Sequence, residues 1–289
     1  MVHHLKALQD RFPEQARTIG CIRELRDRID SVHLEPFFEP KSLFDFSGPK
    51  PVMSTVGPSD LTAWCRHVAD GSTARLASLE DGFFSELFND RLVSAMVIAR
   101  AHMEVAGLAA YALNALFGAA RTGDWMRLTQ IVQKTYFGSS MSIQAKGTPE
   151  LQDYLLEEVC PMRPGNLVKA MDRFAVPDDP SYTRYQLVYG LMSEFAHPVM
   201  SGTKDFAEIV QEDFEGWFIR YRGQALLTDD SVKMACELVL GNMRVAYACC
   251  AMLRVSEVIP GPSYNFVLHG PSKSQIAEIW TDILDQPLH

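Results

Sequence analysis

The sequence predicts a mainly α bundle with one small β-hairpin, and three observations carry that prediction. Apolar residues recur at helical spacing through most of the chain, which is 47% hydrophobic. Proline and glycine clusters cut these periodic stretches into helix-sized pieces. Around 205–222 the period changes, where Phe214, Trp217, Phe218, Ile219 and Tyr221 raise strand preference. Three regions follow: an N-terminal helix with a Pro/aromatic segment over 1–58, a helical bundle with its hairpin over 59–258, and a tail with one helix over 259–289.

Residues 4 to about 32 read as helical, with Pro13 as a break or a first turn. From Leu34 to Pro58, five prolines alternate with Phe37, Phe38, Phe44 and Phe46, an extended segment pinned by its aromatics. Ser59 or Asp60 is expected to cap a helix to about Leu79. A long helix then spans about Gly82 to Ala120, with a broad apolar face and many small residues from Ala99 onward. Thr122-Gly-Asp124 opens a helix to about Phe137, followed by a loop over 138–149 and a short helix over 149–159. Turns at Cys160–Gly165 and Pro177–Pro180 bracket a short helix over Asn166–Phe174. Strands are expected over Asp205–Gln211 and Glu215–Arg222. Asp229 or Asp230 should cap the last long helix, to about Val258, and an amphipathic helix covers about Lys273–Leu284. That tail helix is suited to dock on the bundle or on a second copy.

A net charge of −9 and a pI of about 5.4 argue against a broad nucleic-acid surface, though not against a local basic pocket. The six cysteines lack C-x-x-C spacing, and several sit in apolar helical patterns, as free thiols of a reducing cytoplasm do. The N-terminus has no signal-peptide apolar region. The longest apolar run, Leu92–Ala120, is broken by Arg100, His102, Glu104 and Asn114, which favours a core helix over a membrane span. No glycine-rich phosphate loop, His-Glu-x-x-His or di-iron pattern occurs, so neither cofactor nor metal is expected.

The candidate site starts from Tyr182–Met200. Tyr185, Tyr189, Ser193 and His197 recur every four residues and share one helix face, and Pro198 stops the helix. Ser193 reaches either His197 or a backbone carbonyl, and nothing supplies the elbow or acid of a hydrolase triad. On the long apolar helix, Arg100 and Glu104 are spaced to pair, and the pair is expected to be mostly buried. Two readings stand: a structural ion pair, or a polar site facing the interior. An imidazole moves protons near neutral pH, and a guanidinium holds phosphate through two hydrogen bonds. Together, His197 and Arg100 have the chemistry to cut RNA without a metal: the base frees the ribose 2′-hydroxyl and the cation stabilises the phosphorane.

Arg100-x-x-x-Glu104, followed by Tyr189-x-x-x-Ser193-x-x-x-His197-Pro198, resembles an uncharacterised bacterial family of the HEPN-like, all-helical class. The resemblance spans about residues 60–258. It implies an HEPN-like bundle and a cytoplasmic protein of a defence or stress system, acting on RNA or a nucleotide as a metal-independent ribonuclease. It also implies a homo-oligomer, often a dimer, and a partner protein. His197 would then be general base or acid, Arg100 the phosphate clamp and Glu104 its orienting group, with Ser193 and Tyr189 positioning the imidazole. The class's signature arginine lies shortly before its histidine. Here Arg184 precedes His197 by thirteen positions, so the cation must come from Arg100 on another helix. Other HEPN-like proteins are non-catalytic binding or interaction modules, and in that alternative the polar cluster only fixes helix register.

Overall fold

Apolar periodicity becomes helix packing around three long central helices. The computed structural model describes residues 2–30, 44–45, 52–53, 57–137, 163–176, 179, 181–196, 207–213, 216–221, 227–262 and 266–279. The chain is mainly α with small antiparallel strand pairs.

The first helix, α1 (Val2–Arg11), ends before Pro13, which opens a single 3-10 turn, Pro13–Gln15. Helix α2 (Ala16–Asp30) continues from it, and the Gln9 side chain donates to Ala16 O at 2.9 Å across the break. Within the Pro/aromatic segment, β1 (Phe44–Asp45) pairs antiparallel with β2 (Val52–Met53).

Helix α3 (Pro58–Phe88) corrects two expectations. Its N-cap is Gly57; Asp60 stands at the third helical position and accepts from Gly57 N at 2.8 Å, while Pro58 fits the first turn, where no amide donor is needed. It also runs unbroken past Leu79 and Gly82. The break comes at Asn89–Arg91, where Asp90 takes φ 60°. Gly82 lies inside the helix, and a Cβ there would meet Ile98 at 3.4 Å, an ordinary contact distance, so packing does not demand the glycine.

Helix α4 (Leu92–Thr122) closes on Gly123, whose φ of 73° lets its amide reach Ala119 O. Asp124 accepts from Arg127 N at 3.0 Å and so starts α5 (Trp125–Phe137). The expected loop over 138–149 and helix over 149–159 lie outside the described residues. Helix α6 (Pro164–Ala175) begins two residues before the expected Asn166, with Pro164 in its first turn. Helix α7 (Arg184–Ala196) starts two residues after Tyr182 and ends just before His197.

The hairpin expected near 205–222 is β3 (Ala207–Asp213) paired antiparallel with β4 (Gly216–Tyr221), with a register shift between Ile209 and Gln211. Helix α8 (Asp229–Val255) is capped by Thr228 rather than by the acids after it: Thr228 Oγ1 accepts from Ser231 N at 3.2 Å. It stops at Val255, and the segment expected to finish it is a strand, β5 (Glu257–Pro260), paired with β6 (Phe266–His269). Thr62 Oγ1 accepts from Val258 N at 2.8 Å and ties that strand to α3. The tail helix, α9, is Lys273–Ile279; its expected continuation to Leu284 lies outside the described residues.

Helices α3, α4 and α8 pack against one another as the centre; α6 and α7 lie on α4, and α1 and α2 cover α3 and α8. One apolar cluster runs from Leu8 through Trp64, Phe83, Phe84 and Met243 to Val258. Each such large side chain, fully buried, contributes roughly 1.5–3 kcal/mol. The α4–α6 crossing is set by Gly107: a Cβ there would lie 2.8 Å from the Leu167 backbone, too close to exist. By length and composition, α4 and α8 could each cross a membrane; here both form the packed centre of the bundle.

Candidate functional site

Helices α4 and α7 meet along a seam, and that contact brings the sequence-predicted residues of two distant segments together. Arg100 Nε and Nη2 donate to the Tyr189 hydroxyl at 3.2 and 3.0 Å. The same hydroxyl donates to Glu104 Oε1 at 2.7 Å. Arg100 and Glu104 also approach directly, at 3.5 Å, one helical turn apart. The guanidinium carbon stands 5.0 Å from the Tyr189 ring centroid, a cation–π distance. Burial first, then the bond to Glu104, pushes the Tyr189 hydroxyl above its usual value, against the pull of Arg100. So Tyr189 stays protonated and bridges acid and cation.

The pair is less enclosed than its apolar helix suggested: the Arg100 and Glu104 side chains are 24% and 35% exposed. Arg100 Nη1 makes no hydrogen bond among the described residues, so part of the fork remains open to a ligand.

Ser193 lies one turn beyond Tyr189 and donates to Tyr189 O at 2.7 Å, the carbonyl option of the two. Tyr185 is half-buried; its hydroxyl donates to Gly241 O at 3.4 Å, and burial pushes its pKa up to about 12. It therefore anchors α7 on α8 rather than joining the polar seam. His197 lies outside the described residues.

What aims α7 is a residue the sequence reading missed. Asp172 on α6 is buried, and its carboxylate accepts from Tyr185 N at 2.8 Å, from Gln186 N at 3.3 Å and from Gln186 Nε2 at 3.0 Å. A carboxylate at a helix N-terminus satisfies orphan amides and complements the helix dipole. It caps α7 from a different element, so no local capping pattern announces it.

A second polar cluster lies inside the bundle, on the other side of α4. Glu80 is fully buried; its Oε1 accepts from Tyr247 Oη at 2.9 Å and lies 3.1 Å from His102 Nε2. With that oxygen as acceptor, Nε2 carries the proton. Arg26 reaches in from α2, 3.8 Å from Glu80 Oε2, and forks onto Asp81 at 2.7 and 3.2 Å. Burial and then the Glu80 charge push the Tyr247 pKa far up. The sequence did hold a signal for it: Glu80 falls on the same stripe as Leu76, Phe83, Phe84 and Leu87, an acid where every neighbour is core.

The fold and the seam together define a mainly α bundle with a half-open Arg–Tyr–Glu site. No family model, no curated protein and no solved structure matches the chain. Among the described residues, no group of His, Cys, Asp and Glu is placed to hold a metal ion.

Proposed function

We propose that the protein is an HEPN-like protein of a bacterial defence or stress system that cuts RNA without a metal, at the α4–α7 seam. The observation that carries this is the Arg100 guanidinium: fixed on one side by Tyr189 and open on the other, it has the geometry of a preset phosphate clamp. Glu104 and Tyr189 are its positioning residues. His197 follows α7 directly in the sequence, four positions after Ser193, and serves as the base. It takes the ribose 2′-hydroxyl proton; the freed oxygen attacks phosphorus, the 5′-oxygen leaves as a hydroxyl by taking a proton back from the imidazolium, and a 2′,3′-cyclic phosphate results. Arg100 offsets the charge that builds on the phosphorane.

One observation favours the rival reading, a non-catalytic nucleotide-binding or interaction module. The Tyr189 hydroxyl is used twice inside the seam, as a purely structural cluster would use it.

The two separate on cleavage of a mixed-sequence RNA by the full chain in the presence of a chelator. The nuclease reading expects cyclic-phosphate ends, lost by about 10²–10⁴-fold in His197→Ala and in Arg100→Ala with folding unchanged. Wild-type protein that leaves the RNA intact, or a His197→Ala variant as active as wild type, overturns it in favour of the module.

A further inference from the structure

Outside the seam, four cationic side chains gather at the far end of α4. A groove of about 750 Å³ opens there between α5 and α6, with the last three turns of α4 as its floor. Arg121, Arg127, Lys169 and Arg173 line it, against a single carboxylate, Asp124. All four cations are exposed, and none makes an ion pair among the described residues. In a chain of net charge −9, four cations converging on one concavity concentrate an opposing field where the rest of the surface repels anions. Asp124, which also caps α5 by accepting from Arg127 N, offsets one of these four charges and leaves three in excess.

The remaining walls select among anions. Ala115, Leu128 and Ile131 provide an apolar floor, and the half-buried Tyr111 adds a ring suited to stacking. Asn114 also lines the groove; it donates through Nδ2 to Ala170 O at 3.1 Å, which fixes its amide and leaves Oδ1 as its acceptor. Bare phosphate needs no such wall; a planar base with N–H groups does. The volume also lies within the roughly 300–1,000 Å³ of small-molecule sites.

We propose that the α4–α5–α6 groove binds a nucleotide through its phosphate groups, with Lys169, Arg173, Arg121 and Arg127 as the phosphate contacts and Tyr111 and Asn114 meeting the base. This goes beyond the seam and does not depend on it. Arg121 lies twenty-one positions after Arg100 on one helix, about 30 Å away at roughly 1.5 Å per residue. The nucleotide is either a free triphosphate or one unit of an RNA chain, and the two arms of the test tell them apart.

The test uses the full-length protein, fluorescent ribose-labelled ATP and a short labelled single-stranded RNA, followed by anisotropy at increasing salt. Saturable binding of at least one probe is expected, competed by its unlabelled form and not by adenosine. Tighter binding of the triphosphate marks a free-nucleotide site; tighter binding of the RNA marks a strand contact. In an Arg100→Ala background, which removes the seam's own phosphate contact, Lys169→Glu with Arg173→Glu should weaken binding at least about tenfold and flatten its salt dependence. Because both residues are exposed, an unaltered thermal transition is expected, and Arg121→Gln with Arg127→Gln provides a milder second variant. Absence of binding by both probes at low salt, or binding that survives both double variants, overturns the proposal.

Discussion

Within five residues α4 contributes to two polar clusters of opposite character. His102 turns inward to Glu80 and Tyr247, where nothing is accessible; Arg100 and Glu104 turn outward to Tyr189, where a quarter to a third of each side chain meets solvent. Each cluster is bridged by a tyrosine hydroxyl donating to a glutamate. The inner one stands in a low dielectric, so any lost partner leaves a charge or dipole with no water to replace it. The outer one is screened, and its direct ion pair contributes about 0–1 kcal/mol. Similar chemistry therefore has different consequences: the inner cluster holds three helices in register, and the outer one keeps a guanidinium aimed at solvent.

The largest effect that separates the two regions is alkaline. Burial pushes the Cys65, Cys236 and Cys250 thiols up to about 12, and burial with Glu80 pushes the Tyr247 hydroxyl further still. Raised folded-state values mean that the stabilisation is complete below the unfolded values, near pH 9 for thiols. It is lost as pH rises toward the folded ones. Between about pH 9 and pH 12, each thiol should remove about 1.4 kcal/mol of stability per pH unit. Urea unfolding across that range should show a steep decline; a flat profile would mean the core is not sealed.

Next in size, Glu80→Ala leaves His102 and Tyr247 without their shared acceptor and should cost about 3–5 kcal/mol. Denaturant midpoints measure this, and a cost below about 1 kcal/mol would place the cluster among ordinary surface pairs.

Helix content was legible because most helices carry one apolar stripe, and the hairpin because Trp217–Tyr221 has no helical period. The α3–α4 boundary was misplaced because Glu80 and Asp81 look like a polar helix end when read locally. Glu80 is an acceptor for groups 22 and 167 residues away, and only tertiary packing reveals that. The strand at Glu257–Pro260 was missed because four residues give no alternation to read, and their partner lies beyond a turn. The meeting of the Arg100 helix with the helix before His197 was legible only as a requirement, and the bond from Arg100 to Tyr189 was not foreseen: helical spacing aligned each set of residues, while the seam itself depends on Asp172 capping α7 from α6 and on Gly107 admitting α6 against α4.

Removing one hydroxyl from each cluster tests the contrast most directly, by measuring unfolding free energy and RNA cleavage per folded molecule for Tyr247→Phe and Tyr189→Phe. The account predicts that Tyr247→Phe loses about 1–3 kcal/mol of stability and keeps its cleavage rate. It predicts that Tyr189→Phe stays within about 1 kcal/mol of wild type and loses cleavage at least about tenfold. Equal stability losses in the two variants, with cleavage untouched in both, would contradict it.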